Sequence, residues 1–177
     1  MAQPQYRLKT RQKKDFPMTE VSPTELNVGD KAPDFDLPRD GGGRTSSVDF
    51  GGKPLVLFFY PKDDTTACTT ESISFTALAA DFARVGVAIL GISPDSVKSH
   101  DKFVKKYTLA VPLASDEEKT MATAYGVWRE KSMYGRTYMG VVRSTFLIGA
   151  DGRIARIWDK VKVAGHAEEV LAAAGEL

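Results

Sequence analysis

Of 177 residues only one is a cysteine, Cys68, and that scarcity excludes any disulfide within the chain. A bridged framework is ruled out, and the lone thiol suits a reducing, cytoplasmic setting. A Cys-x-x-Cys pair is also missing, because Thr65 stands where its first cysteine would be, and this disfavours a two-cysteine disulfide reductase. The only histidines, His100 and His166, lie far apart, in no metal-ligand or Cys-and-His spacing, so no metal and no Cys–His hydrolase is expected. Charge of one sign is lacking too. Lys and Arg total 24 against 23 Asp and Glu, which leaves no global field to recruit nucleic acid or anionic lipid. No apolar run approaches the ~18–20 residues of a membrane span, so no membrane association is expected.

Residues 1–14 hold Arg7, Lys9, Arg11, Lys13 and Lys14 with no acid and few apolar residues. The segment 1–24 therefore reads as a basic, disordered tail. Residues 25–177 read as one domain, and a domain of about 150 residues buries roughly 70% of its unfolded surface without covalent staples.

Segments 35–37 and 45–48 flank the run Gly41-Gly42-Gly43 and predict a small N-terminal β-hairpin. The stretch 55–60 is continuously apolar, as expected of a strand covered on both faces, and 87–92 repeats that pattern after a helix expected over 68–84. This is a βαβ crossover. A second helix is expected through 98–107, a short strand at 111–114 and a third helix over 118–125. Strands at 144–148 and 154–158, joined by Gly149-Ala-Asp151-Gly152, predict an antiparallel hairpin, and a helix over 165–173 follows. The order gives an α/β domain with a mixed central sheet flanked by helices, similar to the thioredoxin fold. A flavodoxin-like doubly wound sheet is the alternative, and the hairpin argues against it.

Cys68 falls where the first buried strand hands over to a helix. A thiol in a first helical turn faces unpaired backbone N–H groups and the positive end of the helix dipole, both of which favour the thiolate. The competing reading is a small buried hydrophobe.

The segment Phe59-Tyr-Pro61-Lys-Asp-Asp-Thr65-Thr-Ala-Cys68-Thr-Thr-Glu71 resembles the peroxidatic-cysteine loop of peroxiredoxins, with Pro61, Thr65 and Cys68 filling the pattern Pro-x-x-x-Thr-x-x-Cys. The block Tyr125-Gly-Val-Trp128-Arg-Glu-Lys-Ser-Met-Tyr134-Gly-Arg-Thr-Tyr138, followed by Val141-Val-Arg143-Ser-Thr-Phe146, is similar to the PrxQ, or bacterioferritin comigratory, subgroup. The resemblance spans residues 26–174. It implies a thiol peroxidase that reduces hydrogen peroxide or organic hydroperoxides through a cysteine sulfenic acid and needs no bound cofactor. Thioredoxin, glutaredoxin or a small thiol would regenerate it, and the chain would work as a monomer or weak homodimer. The alternative is a redox sensor or binding module with little turnover.

In that resemblance Cys68 is the nucleophile and Arg143 the permanent cation. Thr65 offers a hydroxyl, or simply caps the helix, and Pro61 shields the sulfur or merely ends the strand. Glu71 is a supporting acid that orients Arg143 or caps the first turn. Lys62, Asp63 and Asp64 read as a solvated charge run. Trp128, Tyr134 and Tyr138 either line a substrate mouth or pin a mobile loop.

The sequence departs from the subgroup at Ile73, which stands where most members carry a resolving cysteine. At about 100° per residue, Ile73 lies about 140° around the helix from Cys68, whereas Phe75, Leu78, Ala79 and Phe82 fall within about 80° of it. The sulfur is thus expected on the core side, with Ile73 off it. Either the chain is a natural one-cysteine enzyme or a resolving cysteine has been replaced. A second departure is Thr66-Ala67, where the subgroup commonly has Pro-Gly.

Overall fold

A computed structural model describes residues 25–177, and the basic segment expected over 1–24 lies outside the described residues. Strands β1 (Asp36–Pro38) and β2 (Arg44–Ser46) pair antiparallel around the glycine turn, where Gly41 and Gly42 take positive φ. Strand β3 (Leu55–Phe59) leads into helices α1 (Thr66–Ala77) and α2 (Ala79–Arg84), then strand β4 (Ala88–Ser93) and helix α3 (Val97–Tyr107). Strand β5 (Leu113–Ser115) and helix α4 (Thr120–Ala124) precede a hairpin of β6 (Trp128–Met133) and β7 (Arg136–Val141). Strands β8 (Ser144–Ile148) and β9 (Ile154–Trp158) and helix α5 (His166–Ala174) close the domain.

The central sheet has the order β5-β4-β3-β8-β9, with β3, β4 and β5 parallel and both β8 and β9 antiparallel to their neighbours. This is the expected mixed, thioredoxin-like sheet, and the antiparallel β8 beside β3 excludes the doubly wound alternative. Alternation along β3 divides the core in two. Val56, Phe58 and Tyr60 face a layer containing Cys68, Phe75, Phe82, Phe103 and Val170. Leu55, Leu57 and Phe59 face Phe35, Met121, Tyr125 and Phe146. Burial on both faces is why this strand carries no polar residue. At Gly91 of β4 an added Cβ would sit 2.7 Å from Phe58 Cζ and 2.8 Å from Leu113 Cδ2, so glycine is what lets those side chains cover the strand.

Two expectations need correction. The helix expected over 68–84 begins at Thr66 and breaks at Leu78, whose φ of −99° and ψ of 2° end α1. No Gly or Pro marks the break; packing imposes it, as α2 turns to lie on β4 and α5. Trp128, Tyr134 and Tyr138, read as lining a substrate mouth or pinning a surface loop, stand instead on the β6–β7 hairpin, whose turn places Tyr134 at φ 51° and Gly135 at φ 74°. Among the described residues no helix is long and apolar enough to cross a membrane.

Candidate active site

The first intrahelical bond of α1 runs from the Thr69 N–H to the Thr65 carbonyl at 2.9 Å, so the N–H groups of Thr66, Ala67 and Cys68 lie ahead of it. Cys68 thus occupies the third helical position, within the turn that carries the positive end of the dipole. Its side chain points inward and is 2% exposed, in the same cluster as Phe58 and Tyr60. Ile73, by contrast, is 43% exposed on the outer face of α1.

Arg143, between β7 and β8, reaches across to this helix. Its Nη2 donates to Cys68 Sγ at 3.3 Å and its Nη1 to Glu71 Oε1 at 3.3 Å. Glu71 is one turn beyond Cys68 and is itself buried. Burial pushes its carboxyl up to about 7, against the pull of the Arg143 charge, and its second oxygen, Oε2, has no hydrogen-bond partner. Burial works against the Arg143 charge, but Glu71 and the sulfur more than offset it and raise its pKa. One fork-shaped cation therefore holds both a sulfur and a carboxyl in a site almost free of solvent.

Thr65 is the N-cap residue of α1 by position, yet its side chain makes no cap bond. The hydroxyl donates instead to the Lys62 carbonyl at 2.8 Å and tightens the loop. Pro61 is half-buried at the end of β3. Trp128 packs on the core, which pins the base of the β6–β7 hairpin, while Tyr134 at its tip is 98% exposed and pins nothing. Tyr138 is also exposed, opposite Lys131.

The solvated reading of Asp63 is wrong. Asp63 is 7% exposed and accepts from Tyr60 Oη at 2.7 Å and Ser99 Oγ at 2.8 Å, with His100 Nδ1 2.7 Å away. Asp64 is exposed but engaged, accepting from Lys106 Nζ at 2.8 Å and Tyr107 Oη at 2.6 Å, and these bonds hold its pKa below the usual carboxylate range. Lys62 is exposed, as expected. His166 lies apart from this cluster, with Nε2 2.8 Å from Thr145 Oγ1.

Sequence reasoning also passed over Lys131. Its Nζ donates to the Val141 carbonyl at 3.0 Å, and Gly140 leaves room for its stem, since a Cβ there would meet Lys131 Cδ at 3.0 Å. Burial and the nearby Arg143 charge lower its pKa, and Cys68 acts in the opposite direction, so the hairpin brings a second cation into the field of the sulfur. Lys131 stands inside the block that resembles the PrxQ subgroup, and that position was the available signal.

Two concavities, of about 610 and 600 Å³, are lined by residues around Asp36 and Met121 and around Gly149 and Leu177. Neither includes Cys68.

The AhpC/TSA family model matches residues 28–157. The chain is 50% identical over 141 residues to peroxiredoxin Bcp of Xanthomonas campestris, covering 78% of this chain and 88% of that protein. It is 44% identical over 146 residues to peroxiredoxin Bcp of Bacillus subtilis, covering 82% and 93%. Among solved structures, a Xanthomonas campestris bacterioferritin comigratory protein, described for its alkyl peroxide reduction activity in trapped intermediate and ligand complexes, superposes with a TM-score of 0.77 at 46% identity, covering 80% of this chain and 90% of that one.

Proposed function

The chain belongs to the AhpC/TSA family as a thiol peroxidase of the Bcp/PrxQ kind, and on that premise we propose that Cys68 is its peroxidatic nucleophile, with Arg143, Thr65 and Pro61 completing the site. The Cys68 thiolate attacks the terminal oxygen of a hydroperoxide. An S–O bond forms as the O–O bond breaks, and the departing alkoxide or hydroxide takes a proton to leave as alcohol or water. The sulfur is oxidised to sulfenic acid and the peroxide is reduced.

The observation that carries this reading is the double grip of Arg143 on Cys68 and Glu71. A fixed donor at the sulfur stabilises the attacking anion and the charge that builds on the leaving oxygen, and it does so in a site preorganised before the substrate arrives. Glu71 supports Arg143 by fixing the fork. Thr65 and Pro61 shape the loop, with the Thr65 hydroxyl bonded to the Lys62 carbonyl.

Regeneration requires a thiol from outside these 177 residues, since there is no other cysteine and Ile73 faces solvent. We assign this role to thioredoxin, glutaredoxin or a small thiol. The thiol attacks the sulfenic sulfur, water leaves, and a second thiol releases Cys68 from the mixed disulfide. A cytoplasmic setting and a monomeric or weakly dimeric state belong to the same proposal, because a lone reactive thiol works where external thiols are kept reduced. Peroxide turnover with each donor in turn, for wild type and Cys68→Ser, tests it. Turnover is expected with at least one donor and none in the variant, and equal consumption by both proteins would overturn the assignment.

A further inference from the structure

The loop between β3 and α1, which delivers Cys68, is anchored at Asp63 by a buried network. Besides accepting from Tyr60 and Ser99, Asp63 donates its backbone N–H to Asp95 Oδ2 at 2.8 Å. Asp95 Oδ2 in turn accepts from Ser93 Oγ at 2.6 Å. His100, fully buried in α3, presents Nδ1 to Asp63 Oδ2 at 2.7 Å and Nε2 to the Ala114 carbonyl of β5 at 3.0 Å. A carboxylate and a carbonyl both accept, so a doubly protonated ring satisfies both partners at once. Burial opposes that charge, but the Asp63 carboxylate prevails and raises the histidine above its ordinary value. Ligand atoms of Asp63, Asp95 and His100 lie within 4.8 Å of one another, yet each is already committed to a hydrogen bond within the protein, so the group is an ion-pair network rather than a cation cradle.

We propose that the buried His100–Asp63 pair is a clamp that holds the loop from Pro61 to Cys68 in its reactive geometry, which makes His100 a positioning residue for the chemistry of Cys68. This rests on the assignment of Cys68 above. Asp63 stands five positions before Cys68, and it is tied at once to the end of β3 through Tyr60, to the β4–α3 turn through Asp95, and to α3 through Ser99 and His100. Asp64 adds an outer tie to Lys106 and Tyr107. A displacement of about 1 Å at a reacting atom costs roughly a hundredfold in rate, so a loop fixed at its fifth residue before the nucleophile is well placed to set that rate. The groups facing His100 are Asp63 from the loop, Asp95 from the β4–α3 turn, Tyr60 from the end of β3, and Ala114 from β5, which offers only a carbonyl. Asp40 accepts from the Leu113 N–H and Asp101 from the Gly41 N–H.

The ring geometry supplies a discriminating pair of variants. Asparagine puts an amide N–H where Nδ1 stood and keeps the bond to Asp63, whereas glutamine puts it where Nε2 stood and keeps only the bond to Ala114. The rate of Cys68 oxidation by hydrogen peroxide is measured by stopped flow as a function of pH, on protein whose folding is established by near-ultraviolet circular dichroism. His100→Gln should react about tenfold slower or worse, and His100→Asn within about threefold of wild type. Neutral His100 would keep Nδ1–H on Asp63 and lose only the Nε2–H bond to Ala114, the same pattern as His100→Asn, so the wild-type rate should show no loss beyond about threefold as pH rises through the His100 titration. Nitrogen NMR of the ring in the wild type gives a second readout that needs no folded variant: Nδ1 should remain protonated on both sides of the His100 titration, with Nε2 giving up the proton. Equal rates in the two folded variants, or an Nδ1 that gives up its proton while Nε2 keeps one, would overturn the clamp while leaving Cys68 as nucleophile. A wild-type Cys68 inert to peroxide would instead overturn the assignment on which the clamp rests.

Discussion

Arg143 Nη2 donates to Cys68 Sγ across 3.3 Å although 75 positions separate the two residues in sequence. The pairing is possible because β8 lies beside β3 in the central sheet, which brings the entry to β8 next to the exit from β3. The antiparallel register sets Ser144 opposite Phe59, so Arg143 emerges directly over the loop that carries the thiol.

Replacing Arg143 with Lys keeps a positive charge but not the fork that holds Cys68 and Glu71 together. The rate constant for Cys68 oxidation should fall by about 10²-fold or more, the usual cost of removing one preorganised donor. Stopped-flow oxidation by hydrogen peroxide, with the folded state checked by circular dichroism, measures it.

Glu71 makes stability depend on pH in a defined direction. Its folded pKa is raised from 4.5 to about 7, so the folded chain holds that proton more tightly than the unfolded chain does. Stability is therefore greatest below the unfolded value and declines as pH climbs toward 7, by up to about 3 kcal/mol from this group. His100, also raised, contributes in the same direction, so Glu71 is isolated by difference. Urea denaturation at pH 5 and pH 8 should show Glu71→Gln losing much less stability between the two than wild type.

Gly91→Ala tests the packing beneath the site. The added methyl would press on the ring of Phe58 and on Leu113, both fully buried, and should cost about 1–3 kcal/mol. A lower urea midpoint with an unchanged rate of Cys68 oxidation per folded molecule is the expected result.

Ile73→Cys places a thiol on the outer face of α1, about 8 Å or more from Cys68 between Cα atoms, too far for a disulfide in an intact helix. One equivalent of peroxide should still produce an intramolecular disulfide, accompanied by a loss of helical ellipticity as the first turns of α1 unwind. A disulfide formed with no change in the far-ultraviolet spectrum would contradict this account of the helix.

The parts of the fold that could be read in advance are those whose burial leaves a strong pattern. The apolar run of β3 and the Gly-Ala-Asp-Gly turn between β8 and β9 are of this kind. The β6–β7 hairpin was not, because most of its residues face water on both sides and no alternation marks it. The break at Leu78 falls among good helix formers, and only the neighbouring layers require it. Cys68, Arg143 and Glu71 could be picked out by resemblance, and the fold places them in one cluster. Asp63 looked like one of a run of solvated charges, since nothing local reveals that α3 will bury it. A cue existed in α3 itself, where His100 and Phe103 are three positions apart and share the buried face.

The central claim is that Cys68 is a peroxidatic nucleophile whose cycle is completed from outside the chain. Its most direct test is mass spectrometry of Cys68 after one equivalent of peroxide, followed by separate additions of thioredoxin, glutaredoxin and glutathione. The account predicts a gain of one oxygen atom at Cys68, trapped by a sulfenic-acid reagent and reversed by at least one of those donors. A Cys68 thiol that persists unchanged after peroxide would contradict it.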